Sequence, residues 1–168
     1  MARQLALLAV ALLAAVTQAR RSVDPTAYVP RYLNEVDYYN HDSYVQQPGF
    51  NWVFFGATWC PHTQEAIPVF DEVANTLVRS HGHDIRYYYA YVDKPRSWDY
   101  YNNKKGLRTI YNVTVYPNIR MYYNGDYMHR YKGARNMAKF QRYLNKVIPI
   151  IEDHINSPNY TPGDKKRK

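Results

Sequence analysis

Asn51-Trp-Val-Phe-Phe-Gly56-Ala-Thr-Trp-Cys60-Pro-His-Thr63 joins two kinds of periodicity within one short stretch. Asn51 to Gly56 is a compact apolar run suited to a buried strand. From Pro61 to about Ser80 the pattern turns helical, with Ala66, Phe70, Val73, Ala74 and Leu77 recurring at three- and four-residue spacing. Pro61 suits a first helical turn, where its missing N–H costs nothing. Pro68 falls inside the pattern and is expected to kink the helix. Cys60 therefore stands between the end of a strand and the start of a helix. In sheets of this kind ligands bind outside the carboxyl ends of the strands. Helix N–H groups and the macrodipole favour an anion there, so a thiolate at Cys60 is stabilised.

Working outward, Asp84 to Asp93 reads as a strand, with Ile85, Tyr87, Tyr89 and Tyr91 on one face and Tyr88, Ala90 and Val92 on the other. A weaker helical segment is expected from about Trp98 to Tyr111. Pro117 to Tyr123 and Tyr127 to Lys132 flank Asn124-Gly125-Asp126, a strong hairpin signal. A last helix spans about Asn136 to Asp153, with Met137, Phe140, Leu144, Val147, Ile148 and Ile151 on its inner face. Strands alternating with helices predict an α/β sheet with a parallel portion, and the hairpin adds an antiparallel one.

The chain has 168 residues, enough for one domain with a real core. Apolar residues make up 46% and charged residues 21%, which excludes wholesale disorder. The N-terminus reads as an address. Arg3 supplies a positive charge, Leu5 to Val16 is unbroken apolar sequence, and Thr17-Gln18-Ala19 places small residues at a cleavage site. The apolar run is too short for a spanning helix, and no stable membrane insertion is expected. The expected organisation is a signal peptide over 1–19, a lead-in over 20–32, a domain over 33–153 and a disordered basic tail over 154–168. The compartment implied is the secretory pathway.

One cysteine excludes an intramolecular disulfide, a cysteine-based zinc cage and a self-contained dithiol cycle. A single cysteine in an oxidising compartment is either a reactive or intermolecularly paired thiol, or a buried and inert one.

The run Trp52 to Thr63 resembles the active-site segment of thioredoxins and protein disulfide isomerases, an apolar strand followed by Trp-Cys-x-x-Cys opening a helix. Pro68 stands where that family carries its kinking proline. Val115-Tyr116-Pro117, then a strand and Asn-Gly-Asp, resembles its cis-proline loop and terminal hairpin. Gly133 fits the glycine before the last helix. The resemblance covers roughly residues 33 to 152 and implies a thioredoxin-like fold, a mixed central sheet flanked by helices. The signal peptide favours the disulfide isomerase branch, in the endoplasmic reticulum lumen or secreted.

Two departures matter. The family's second cysteine is Thr63 here, and its buried acid six residues before the first cysteine is Phe54. Both the dithiol pair and its proton relay are replaced. The resemblance then implies a monothiol. Cys60 would attack a client disulfide, and release would come from a client thiol or a small thiol such as glutathione. His62 is expected to contribute charge or a donor beside the sulfur, and the Thr63 hydroxyl to donate to the thiolate. Trp59, Pro61, Tyr116 and Pro117 would contact the client, the backbone beside Pro117 pairing with an extended segment. The alternative is a noncatalytic chaperone or client-binding module that uses the same cleft. Expected partners are client proteins with free thiols or disulfides.

The remaining signals are weaker. His81-Gly-His83-Asp84 is read as a solvated loop, so no metal is expected, and no cofactor either. Asn112-Val-Thr114 and Asn159-Tyr-Thr161 are N-glycosylation sequons. The 19 tyrosines are read chiefly as core and sheet residues. The net charge of +8 suits acidic clients, glycans or solvation; no nucleic acid is expected in this compartment.

Overall fold

The computed structural model describes residues 27–94 and 106–163. The elements are β1 (Asn34–Glu35), α1 (His41–Val45), β2 (Phe50–Gly56), α2 (Pro61–Thr76), β3 (Arg79–Ser80), β4 (His83–Tyr91), α3 (Leu107–Ile110), β5 (Asn118–Tyr123), β6 (Asp126–Tyr131) and α4 (Met137–Ile155). The main sheet runs β1-β4-β2-β5-β6, and β3 pairs with β4 alone. β4 is parallel to β1 and β2; β5 is antiparallel to β2 and β6. This is the mixed sheet that the strand and hairpin patterns predict.

β2 is buried along its whole length because both of its faces are covered. Phe50, Trp52 and Phe54 pack with Phe70, Ile85, Tyr87, Phe140 and Leu144 on the side of α2 and α4. Val53 and Phe55 pack with Tyr88, Ala90, Leu107, Tyr111 and Val113 on the other side. The tyrosines of β4 alternate between these two cores as their spacing predicts.

Several boundaries differ from the sequence reading. α2 stops at Thr76, not near Ser80. The chain instead turns through His81 and Gly82, at φ +49° and +80°, so that Arg79 pairs with Asp84 and Ser80 with His83. Two positive-φ residues make the tight hairpin whose twist matches its strands. His83 reaches Glu152 on α4 and so belongs to a packed contact, not to a solvated loop. The short elements β1 and α1 carry no visible period. The turn that leads into α1 is held by Asp37, whose carboxylate accepts the N–H groups of Tyr39 and Asn40 at 2.8 and 3.1 Å. Of the helix expected over 98–111, the described part is the single turn of α3; residues 98–105 lie outside the described residues.

Both ends of the described residues are tied down. In the lead-in, the Asp71 carboxylate, buried on α2, accepts the Tyr28 hydroxyl at 2.8 Å and the N–H groups of Arg31 and Tyr32 at 3.0 and 2.8 Å. The signal peptide and residues 20–26 lie outside the described residues. α4 runs two residues past the expected domain end, and the following segment is not a free tail as far as Gly163. The buried Asp126 carboxylate accepts the Tyr160 hydroxyl at 2.7 Å and the Gly163 N–H at 2.8 Å. Residues 164–168 lie outside the described residues.

One histidine gives a pH dependence. His129, exposed on β6, contacts the Tyr143 hydroxyl at 3.1 Å. Partial burial of the ring, then the charges of Lys132 and Lys146, hold its imidazole below its ordinary value. The unfolded imidazole therefore takes up a proton first as pH falls. Stability is full above the ordinary value of about 6.5 and declines below it. Thermal melts between neutral and mildly acid pH should show this decline, and His129→Gln should make it shallower.

Candidate functional site

β2 ends at Gly56, and four residues later Cys60 is the N-cap of α2, with extended backbone at φ −85° and ψ 118°. Its carbonyl accepts the N–H of Thr63 at 2.9 Å and of Gln64 at 3.1 Å, and its own N–H donates to Ala57 at 3.1 Å. Cys60 is thereby fixed at the opening of the helix.

The loop before it is held from a distance. The Asp93 carboxylate, just past β4, accepts both the N–H of Thr58, at 2.9 Å, and its hydroxyl. Gln64 donates back to the Thr58 carbonyl at 2.7 Å. These residues were missed in the sequence. Thr58 and Asp93 are 35 positions apart, and no local pattern joins them.

The Cys60 sulfur faces the loop before β5. Sγ lies 3.9 Å from the Tyr116 carbonyl oxygen, and the thiol donates to it. The Tyr116–Pro117 peptide bond is cis. Trp59 is 51% exposed, and its indole meets the Tyr116 ring edge-on at 5.9 Å between centroids. Val115, also exposed, extends this apolar rim. Cys60 itself is 8% exposed, so the sulfur sits at the floor of a shallow apolar site. The Tyr116 hydroxyl is pushed above its ordinary value, chiefly by burial.

The other expected site residues are placed differently. His62 points to solvent and pairs with Glu65 at 3.5 Å, both side chains well exposed, and makes no contact with the sulfur. Thr63 is fully buried and turns toward β2, where its hydroxyl oxygen accepts the Ala57 N–H at 3.4 Å. It does not donate to Cys60. The reason is steric: Gly56 leaves a space that Thr63 fills, and a Cβ on Gly56 would lie 2.5 Å from Thr63 Cγ2. Phe54, where a buried acid would stand, packs against Phe70 at 5.4 Å. Pro61 is exposed in the first turn of α2 and Pro117 is buried. Asn112 is exposed at a turn, with φ +46°, and Asn159 is exposed beyond α4. Neither lies in the Cys60 cleft. Among the described residues no cluster of histidine, cysteine or acidic side chains is arranged to hold a metal. No helix among them is long and apolar enough to cross a membrane.

Comparison with known proteins agrees with this geometry. The Thioredoxin family model matches residues 33–146. The chain is similar to endoplasmic reticulum resident protein 44 of Bos taurus, 27% identical over 135 residues, which cover 79% of this chain and 32% of that protein. It is also similar to protein disulfide-isomerase of Hordeum vulgare, 28% identical over 120 residues, which cover 71% of this chain and 22% of that protein. The chain thus spans a third or less of the length of these curated relatives. Human ERp44 in crystal form II superposes with a TM-score of 0.60 at 19% identity, over 74% of this chain and 32% of that one. The thioredoxin of Malassezia sympodialis superposes with a TM-score of 0.53 at 18% identity, over 74% of this chain and 98% of that one. These superpositions speak for the fold. Matched over most of its length and carrying its cysteine at the family's strand-to-helix position, the chain belongs to the thioredoxin family.

Proposed function

We propose that this chain is a secretory-pathway protein that captures clients through Cys60 as a monothiol. The observation that carries the proposal is the placement of the Cys60 sulfur. It lies at the helix N-terminus, 3.9 Å from a loop carbonyl beside Pro117, under an apolar rim of Trp59 and Tyr116. An extended client segment can pair with the backbone beside Pro117 while its disulfide meets the thiol. The Cys60 thiolate attacks one client sulfur and a new S–S bond forms. The other client sulfur leaves as a thiolate. A second thiolate, from the client or from glutathione, then attacks the mixed disulfide and frees Cys60. The number of S–S bonds is unchanged over the two steps: a client thiolate leaves a rearranged client disulfide, glutathione leaves a client–glutathione disulfide, and without either the client is retained. The compartment is the endoplasmic reticulum lumen or the secretory route beyond it, and Asn112 and Asn159 are the candidate glycosylation positions there.

A second reading is favoured by one observation. His62 and Thr63 turn away from the sulfur and Phe54 replaces an acid, so none of these three side chains assists the thiol. A module that binds clients noncovalently through Trp59, Pro61, Tyr116 and Pro117 needs none. Expression in secretory cells, alkylation at lysis and non-reducing electrophoresis separate the two. Under the first reading, client adducts form and Cys60→Ser removes them all. Under the second, no adduct forms, and client co-purification is unchanged by the substitution.

A further inference from the structure

Outside the cleft, the described surface carries a concentration of cations. From Tyr127 to Ile151 the chain has six cations, Arg130, Lys132, Arg135, Lys139, Arg142 and Lys146, and no aspartate or glutamate. All of these except Arg130 are well exposed. Among the described residues the ion pairs are formed by other side chains, so these cations are not neutralised by neighbours. At 3.6 residues per turn, Lys139, Arg142 and Lys146 fall on one stripe of α4, opposite the face of Phe140, Leu144 and Val147. His129 near the end of β6 contacts Tyr143 in the middle of α4, so the two cation-bearing elements lie against each other.

The register fixes where this field begins. Tyr131 lies level with Ile119, and Ile119 with Phe54. Lys132 and Arg135 therefore emerge at the same end of the sheet as Cys60, two strands over from β2, or about 10 Å. From there the stripe descends along α4 as far as Lys146, and the exposed Asp153, two turns further on, ends it. Two acids also lie near the mouth of the site: Glu65, exposed beside His62, and Asp93, which accepts from Thr58.

We infer that the cationic stripe from Lys132 and Arg135 down α4 selects clients with an acidic segment flanking the reactive cysteine. The inference rests on the client-binding reading above and names the chemistry of the client. An extended chain covers about 10 Å in three residues. A client held beside Pro117 thus reaches Lys132 with residues close to its own cysteine. A sulfated polysaccharide would also suit the charge, but it would make no use of a stripe that starts at the thiol. Exposed charges of this kind act mainly on encounter rate and selectivity, and their effect fades with salt.

The test uses the full chain and three peptides of equal length, each bearing one activated disulfide, with acidic, neutral or basic flanks. Release of the leaving thiol reports the reaction rate. The acidic peptide is expected to react about tenfold faster than the basic one at low ionic strength. High salt should close the gap, and Lys139→Glu with Arg142→Glu should narrow or reverse it. In a parallel arm, Cys60→Ser protein is titrated with the same peptides carrying serine for cysteine, read by fluorescence anisotropy. If no peptide reacts but the acidic one binds best, the thiol reading fails and the selectivity stands. Equal rates and equal binding would overturn the selectivity. So would tight binding of a heparin fragment with no preference for the acidic peptide.

Discussion

On the monothiol reading, Thr63→Cys is expected to strip this protein of its trapped clients. A mixed disulfide at Cys60 would wait for an outside thiol, because Cys60 is the one cysteine of these 168 residues. Thr63 occupies the first turn of α2, three residues on, where the family places its resolving cysteine. Its side chain is fully buried and close in size to cysteine, so the substitution fits the space beside Gly56. What is lost is one weak bond, the Thr63 hydroxyl accepting from Ala57 at 3.4 Å. That bond contributes about 1 kcal/mol at most. What is gained is an intramolecular attacker at an effective concentration no free thiol reaches. Adducts visible on a non-reducing gel should fall at least tenfold, and reduced client should appear with the oxidised variant. Adducts that persist unchanged would mean that the introduced thiol does not reach the mixed disulfide, or that capture is not through Cys60. The Cys60→Ser variant separates those two outcomes.

The second large effect is on stability. Trp52 is fully buried at the middle of β2. Its ring stacks on Tyr143 at 5.3 Å and meets Phe70, Phe140 and Tyr87 at 5.0, 5.6 and 5.7 Å. Through these contacts one side chain joins the sheet to both α2 and α4. Trp52→Ala should cost about 3–5 kcal/mol and lower the melting temperature by about 10 °C or more. Trp52→Phe should cost far less than the lost area suggests. The Trp52 Nε1–H is buried with no partner among the described residues. Removing an unsatisfied donor relieves a penalty of about 1–3 kcal/mol, which offsets much of the smaller ring's cavity. Chemical denaturation of the two variants, compared at one pH, gives both values.

The contrast between long and short elements shows what a linear sequence can carry. β2, β4 and α4 were legible because burial on one or two faces imposes a period over six or more residues. β1 and α1 have two and five residues, too few to express any period. They exist because the neighbouring β4 edge and the Asp37 carboxylate organise them. The end of α2 was misplaced for a related reason. Arg79 and Ser80 extend a helical pattern on paper, yet His81-Gly82 supplies a turn that is favoured once β4 is there to pair with.

The site divides in the same way. The place of Cys60 could be read from the change of period, and Trp59, Tyr116 and Pro117 were set beside it by the family resemblance. The directions of His62 and Thr63 could not. They depend on Glu65 one turn away, and on the space left by Gly56 across the strand. The Thr58–Asp93 clamp arises only when β2 and β4 lie side by side.

The Asp126 carboxylate sets the polarity of the particle for anyone wishing to hold it. Asp126 lies level with Tyr123, and Tyr123 with Phe50, at the start of β2 rather than its end. By gripping Tyr160 and Gly163 it fixes the outgoing chain at the pole opposite the thiol, about 20 Å away along the strand. A bead, biotin or fluorophore attached after Gly163 would therefore hang from the base of the molecule. The end of the sheet that carries Cys60 would then face away from the attachment.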